Sequence, residues 1–251
     1  MDRIQTAKKY TAQLYGEGAS PLRQTDPEFA AIKERLIYGE VYGHIRLDAR
    51  LRELLILAVA VTNQTFREVS IHTEAALHAG AVPEEIRETV YHCAPYIGLG
   101  KAEAALDAVN LALEKHGVRL PLSNGSTVTE ADRLEQGLSA QKAIFGSRID
   151  TMRAAAPDDQ RHIQDYLSAY CFGDFYTRQW LDLKQRELLT FCILCAQGGC
   201  ENQIRAHIGG NTAVGNSRDV LLDALTVCLP YVGFPRTLNA LACVNELLSE
   251  K

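Results

Sequence analysis

The chain says most things twice. RLDARLRELLILAVAV at 46–61 returns as WLDLKQRELLTFCILC at 180–195, so that Asp48, Arg52, Glu53 and Leu54 fall on Asp182, Arg186, Glu187 and Leu188. YGEVY at 38–42 is echoed by FGDFY at 172–176. Past one extra residue in the Gly198–Gly199 turn, His72 falls on His207 and Gly80 on Gly215. CAPYIG (93–98) then falls on CLPYVG (228–233), and AALDAVN (104–110) on NALACVN (239–245). A repeat of this length is one supersecondary unit used twice. Whatever one half folds into, the other half must fold into as well.

Each copy reads as helices. LRELLILAVAV is apolar almost all round, the pattern of a buried helix. TFREVSIHTEAALHAG carries apolar residues at helical spacing and stops at Gly80. VPEEIRETVYHCAPYIG opens with Pro83 in the first turn and acidic residues behind it, both favourable at a helix N-terminus. Pro95 is expected to end or kink that helix. KAEAALDAVNLALEKHG is rich in strong helix formers and closes on Gly117. In the second copy, GNSRDVLLDALTVCLPYVG starts at an Asn216 or Ser217 cap. LPLSNGSTVT (120–129) crowds Pro, Ser, Asn and Gly together and reads as the linker. The expectation is an all-α protein of two homologous units, 1–118 and 131–251, joined by 119–130.

The 251 residues suffice for one large core or two modest ones. A formal net charge of −5 with no basic run speaks against nucleic acid as a partner. No apolar stretch approaches the length of a membrane span. MDRIQTAKKYTAQLYGEG lacks the pattern of a secretory signal. The seven cysteines are an odd set without disulfide-framework spacing, which fits free thiols in a cytoplasmic protein. Cys192 and Cys195 form a CxxC with no second pair for a zinc ribbon, and are expected to be buried. Neither a metal nor a cofactor is expected, because the repeated motif offers one histidine and one or two carboxylates.

Two constellations carry possible chemistry. Cys200 and His207 lie seven residues apart, so a helix would place both on one face. Cys200 follows two glycines, and a thiol in the first turn of a helix is one whose pKa falls. The alternative is a small turn residue and an unrelated core histidine. In the first half, Glu68 and His72 are at i and i+4, close enough for the carboxylate to raise the imidazole pKa. The alternative there is a solvated ion pair. Arg67 and Arg205 are candidates for holding a substrate carboxylate. Arg52 and Arg186 are expected in ion pairs at a subunit or repeat contact. Tyr96 and Tyr231 are expected to pack, and His44 and His92, without counterparts in the other half, are expected to lie outside any site.

A buried RELL helix, a histidine helix, EEIxE or its equivalent, PYxG and a closing helix together resemble the carboxymuconolactone decarboxylase family, which includes alkylhydroperoxidase D-like proteins. The resemblance covers about 36–117 and 170–250. It implies an all-α fold and a pattern E…CxxCxxxH in the thiol-peroxidase branch. Carried onto this chain, that pattern gives Glu187, Cys200 and His207, with Gln203 where the second cysteine would stand. The first half gives Glu53 and His72, with Thr65 and Glu68 at the cysteine positions, closer to the decarboxylase branch. The preferred expectation is therefore a one-cysteine, peroxiredoxin-like activity centred on Glu187, Cys200, Gln203 and His207 and reset by an external thiol. The alternatives are acid–base decarboxylation of a small lactone or keto acid by Glu53, Glu68 and His72, and a non-catalytic small-ligand binder. The resemblance also implies a homo-oligomer, a trimer before a dimer.

Overall fold

The computed structural model describes residues 2–15 and 22–249. Of the opening stretch, residue 1 and residues 16–18 fall outside them. The first half runs α1 (Arg3–Tyr15), α2 (Pro27–Glu34), π-helical turns at Arg35–Val41, α3 (Ala49–Thr62), α4 (Phe66–His78), α5 (Pro83–Ile97) and α6 (Leu99–Lys115). The second runs α7 (Arg133–Phe145), π-helical turns at Leu167–Tyr176, α8 (Leu183–Gln197), α9 (Glu201–Ala213), α10 (Arg218–Val232) and α11 (Phe234–Leu247). No strand occurs among the described residues. The protein is all-α and built from two like units.

The repeated aspartates explain where the central helices begin. Asp48 and Asp182 stand at the N-caps with extended backbone and accept the amides of Leu51 and Gln185 at 2.9 and 2.7 Å. Each cap satisfies a donor that the helix itself cannot. Past the first turn the helices that follow are buried, Leu54–Val61 at 0–1 % exposure and Leu188–Ala196 at 0–4 %. Burying each large apolar side chain stabilises by about 1.5–3 kcal/mol. α3 and α8 pack on each other, and each also packs on the other half's proline helix, α3 on α10 and α8 on α5. The two units therefore share one core.

The likeness of the halves reaches further than the sequence match. Gly39 and Gly173 lie in the two π-helical stretches, where a Cβ would stand 2.3 Å from the Arg3 carbonyl oxygen and 2.2 Å from that of Arg133. Only glycine lets α1 and α7 approach so closely. The same helices are tied by ion pairs, Arg3 to Glu40 and Arg133 to Asp174. α5 continues two residues beyond Pro95 to Ile97, so the proline stands inside the last turn rather than ending the helix. Ser217 is the cap of α10, its hydroxyl accepting from Val220 N. Residues 119–129 are irregular and lie back on the second half, with Gln179 N donating to Gly125 O and Thr127 Oγ1 to Thr177 O.

Arg186 is the buried contact between repeats. Its guanidinium donates to the carbonyls of Leu181, Arg178 and Gln179 and lies 3.5 Å from Glu88 of the first half, which also binds Arg178 at 2.9 Å. Arg52 differs from the expectation. It stays within its own half, Nε donating to Glu53 at 3.1 Å with the guanidinium stacked 3.8 Å over the Tyr42 ring. Cys192 and Cys195 are fully buried, as expected.

Candidate active site

The duplication builds the same three-residue arrangement twice. In the second half, α8 carries Glu187 and α9 carries His207, and Glu187 Oε2 lies 2.9 Å from His207 Nδ1. Tyr176, at the end of the π-helical stretch, donates its hydroxyl to Glu187 Oε1 at 2.7 Å. In the first half, Glu53 Oε2 lies 2.7 Å from His72 Nδ1, and Tyr42 donates to Glu53 Oε1 at 3.0 Å. Both glutamates are wholly buried. A buried carboxylate is costly unless donors surround it, and here tyrosine and histidine supply them.

Each centre is roofed by the other half. The Tyr231 ring lies edge-on to His72 at 5.3 Å, and the Tyr96 ring edge-on to His207 at 6.1 Å. These are the paired tyrosines of the two PYxG motifs. Phe145 from α7 adds a second edge-on ring against His207 at 5.4 Å. Gly210, one turn beyond His207, allows this packing, since a Cβ there would stand 2.4 Å from Glu187 Oε2 and 3.1 Å from Phe145.

The two centres are charged differently. His72 is only 1 % exposed and stands between two carboxylates, Glu53 and, 3.6 Å from Nε2, Glu68. Burial opposes its charge, but the two carboxylates outweigh burial and raise its pKa. Glu68 is held near 2, first by His72 and then, against burial, by Lys33 at 2.8 Å. Burial would push the Glu53 carboxyl up, but His72 and Arg52 together hold it below the usual range. The first centre is thus an imidazolium locked into an ion network and closed by Lys33 of α2. His207 keeps 12 % of its side-chain surface exposed, and no polar group among the described residues bonds its Nε2. With Nδ1 donating to Glu187, Nε2 is left with the lone pair on the open side of the ring.

Cys200 does not join this centre. It is the N-cap of α9, and its thiol donates to the carbonyls of Leu194 and Gly198 at 3.4 Å. Burial and then Glu201 raise its pKa, with Arg236 opposing. The expected lowering is therefore reversed. Seven helical residues share a face but stand about 10 Å apart along the axis, too far for a thiol–imidazole pair. The position one turn before His207 belongs to Gln203, which is exposed. Arg205 is engaged with Glu246 at 2.9 Å, and Arg67 is exposed. Among the described residues no group of three or more His, Cys, Asp or Glu side chains is arranged to hold a metal, and no helix is long and apolar enough to cross a membrane.

Sequence reasoning passed over several members of these centres. Tyr42 and Tyr176 stood in the repeated YGEVY and FGDFY, which was the signal that marked them. Lys33 and Phe145 lie far away in sequence and carried none. His92, set aside for want of a counterpart, is buried with Nε2 bonded to Thr190 Oγ1 at 2.9 Å and the Arg186 carbonyl at 3.0 Å.

A model of the carboxymuconolactone decarboxylase family matches the chain twice, at 27–111 and 161–246. The chain belongs to this family. It is 23 % identical over 124 residues to 4-carboxymuconolactone decarboxylase of Acinetobacter baylyi, covering 49 % of this chain and 92 % of that one. It is 33 % identical over 99 residues to nitrosuccinic acid decarboxylase of Metarhizium robertsii, covering 38 % of this chain and 67 % of that one. A solved structure from Burkholderia xenovorans, described as a gamma-carboxymuconolactone decarboxylase subunit, aligns over 98 % of both chains with a TM-score of 0.57 and 22 % identity. That likeness speaks to the fold. Within this carboxymuconolactone decarboxylase-family chain, both units keep the glutamate–histidine pair, and only the second leaves its imidazole open.

Proposed function

We propose that this protein is an acid–base decarboxylase of a small carboxylic acid, acting at the Glu187–His207 centre. The observation that carries the reading is the Glu187 carboxylate, bonded by Tyr176 on one oxygen and by His207 Nδ1 on the other, with Nε2 on the exposed side. The two curated relatives, both named as decarboxylases, support the reaction class. In the reaction, the C–C bond to the substrate carboxylate breaks and its electron pair passes into an adjacent carbonyl, lactone or similar acceptor. CO2 leaves, and the His207 imidazolium delivers its Nε2 proton to the carbon. Solvent then restores that proton. Glu187 balances the imidazolium charge and holds the ring, a role general acid–base catalysis requires. His72 offers a ready imidazolium in the first centre, and Lys33 and Glu68 close it.

The thiol-peroxidase reading has one support, the place of Cys200 at the start of α9. A raised thiol pKa and the separation from His207 weigh against it. The test is CO2 release from a panel of small keto and lactone acids by His207→Ala, His72→Ala and Cys200→Ser variants. Release that survives Cys200→Ser and is lost in His207→Ala is expected. Release that survives His207→Ala sinks the assignment, and loss in His72→Ala alone moves it to the first centre. Peroxide consumption that needs Cys200 and an added thiol, without CO2 release, restores the peroxidase.

A further inference from the structure

We propose that His92 and Thr190, with Tyr96, are positioning residues of the second centre, forming a directed hydrogen-bond chain from the first half that ends on Glu187. The chain is read from its two ends. At one end, His92 Nε2 lies 3.0 Å from the Arg186 carbonyl, which only accepts, so Nε2 carries the proton. The same N–H meets Thr190 Oγ1 at 2.9 Å. At the other end, a carboxylate also only accepts, so the Tyr176 proton points to Glu187. Between them, Thr190, Tyr96 and Tyr176 form a closed triangle of hydroxyls, at 3.0 Å from Thr190 to Tyr96 and 2.8 Å for the other two sides. Tyr176 has spent its proton, so it accepts. Whichever of Thr190 and Tyr96 donates first, their protons run toward Tyr176.

The direction has a chemical consequence. Donors that polarise one another strengthen the last bond of the series. A carboxylate that receives a strong donor at Oε1 presents a defined acceptor at Oε2, which fixes the Nδ1–H form of His207. Nε2 is thereby kept as the nitrogen that takes a proton from solvent and hands it on. Burial and the neighbouring Arg186 charge keep His92 neutral, so its end of the chain does not reverse when the pH changes.

The first centre lacks the histidine–threonine limb of this chain. The positions of His92 and Thr190 are occupied there by Val227 and Ile56, both fully buried. Glu53 Oε1 there takes Arg52 as a second donor beside Tyr42. The duplication gave both halves the glutamate and histidine, and the histidine–threonine limb from across the interface belongs to the second centre. This inference builds on the proposed role of His207, and its test reads the ring itself rather than turnover.

Facing His207 are Glu187 from α8, Tyr96 from α5 and Phe145 from α7, with neutral His92 of α5 near enough to feel its charge, and Glu187 is the charged group among them. The experiment is long-range proton–nitrogen correlation on the full-length protein labelled with 15N-histidine. In the native chain, His92 is expected as the Nε2–H form and neutral His207 as the Nδ1–H form. The Thr190→Val/Tyr96→Phe double variant strips Tyr176 of its incoming donors, weakens its bond to Glu187 and leaves a carboxylate that holds imidazolium more tightly. His207 then titrates higher, by about half a pH unit or more. Thr190→Ser, which keeps the hydroxyl, leaves the titration as it was, and so does Tyr231→Phe, the counterpart change at the first centre. A proton on Nδ1 of His92 in the native protein overturns the proposal even if the double variant fails to fold. An unmoved His207 titration in a folded double variant overturns it as well. CO2 release that survives His207→Ala, with the titration behaving as described, leaves the chain intact and counts against the catalytic reading alone.

Discussion

Lys33 reaches from α2 to Glu68 on α4, Nζ to Oε1 at 2.8 Å across 35 residues of sequence. This ion pair holds one of the two carboxylates that lock His72, and it distinguishes the first centre from the second. Lys33→Met is expected to raise the Glu68 pKa by about one unit from its value near 2, because the larger influence of His72 remains. Titration followed by carboxyl-carbon NMR checks this. An unmoved Glu68 would show that Lys33 is a solvated bystander.

The same network sets a pH window for stability. Glu68 is depressed from 4.5 to about 2, so its contribution is full above 4.5 and is lost as the pH falls between those values. His72 is raised above 6.5, so its contribution is present below 6.5 and is lost as the pH rises through the folded-state value. The first centre therefore stabilises most between about 4.5 and 6.5. Urea unfolding of the native chain and of Glu68→Gln at pH 3 and pH 5.5 is the measurement. The native chain should lose about 1–2 kcal/mol more than the variant on acidification, after screening of the partly exposed carboxylate. Equal losses would remove Glu68 from the account.

Glu88 holds the two halves together by charge, with Arg178 at 2.9 Å and Arg186 at 3.5 Å, all largely buried. Glu88→Ala leaves these guanidinium groups without their carboxylate and should cost about 3–5 kcal/mol. Calorimetry decides it. A loss below about 1 kcal/mol would mean that the carbonyl partners of Arg186 suffice.

Gly209 and Gly210 are adjacent on α9 and should respond oppositely to alanine. At Gly210 a Cβ meets Glu187 Oε2 at 2.4 Å and Ile144 at 2.9 Å, so the substitution overpacks the centre, at about 1–3 kcal/mol. At Gly209 nothing lies within 4 Å, and alanine should stabilise by about 0.5–1 kcal/mol through helix propensity. The two melting temperatures, measured side by side, test the packing directly. Equal shifts would contradict it.

Cys200 should alkylate slowly at neutral pH. Its thiol is pushed above the ordinary 9.0 by burial and Glu201, and Arg236 opposes this. The rate of iodoacetamide labelling at Cys200, followed by peptide mass spectrometry, is expected to reach half its maximum above pH 9 and to fall further in Arg236→Ala. A midpoint near neutrality would reopen the thiol chemistry.

The fold was legible because its determinants are local and were written twice. Asp48 and Asp182 cap, the RELL segments are apolar all round, and a pattern that recurs at fixed spacing leaves little choice but two like helical units. Half of the candidate centre was legible for the same reason. Glu187 with His207 and Glu53 with His72 are matched pairs in the repeat, and the structure joins each pair in a hydrogen bond.

What the sequence could not carry was distance between helices. Spacing of seven placed Cys200 and His207 on one face, yet a shared face two turns apart is not a contact, and the burial that raises the thiol comes from the core around it. Lys33 on Glu68, Phe145 and Tyr96 on His207, and His92 on Thr190 are meetings of side chains from separate helices. Helical periodicity fixes which face a residue shares and is silent on what the packing brings opposite it. The sequence alone determined two like helical units with a glutamate and a histidine in each. The tertiary structure decided that one imidazole is locked between carboxylates and the other left open, because charge and access depend on the neighbours that other helices bring alongside.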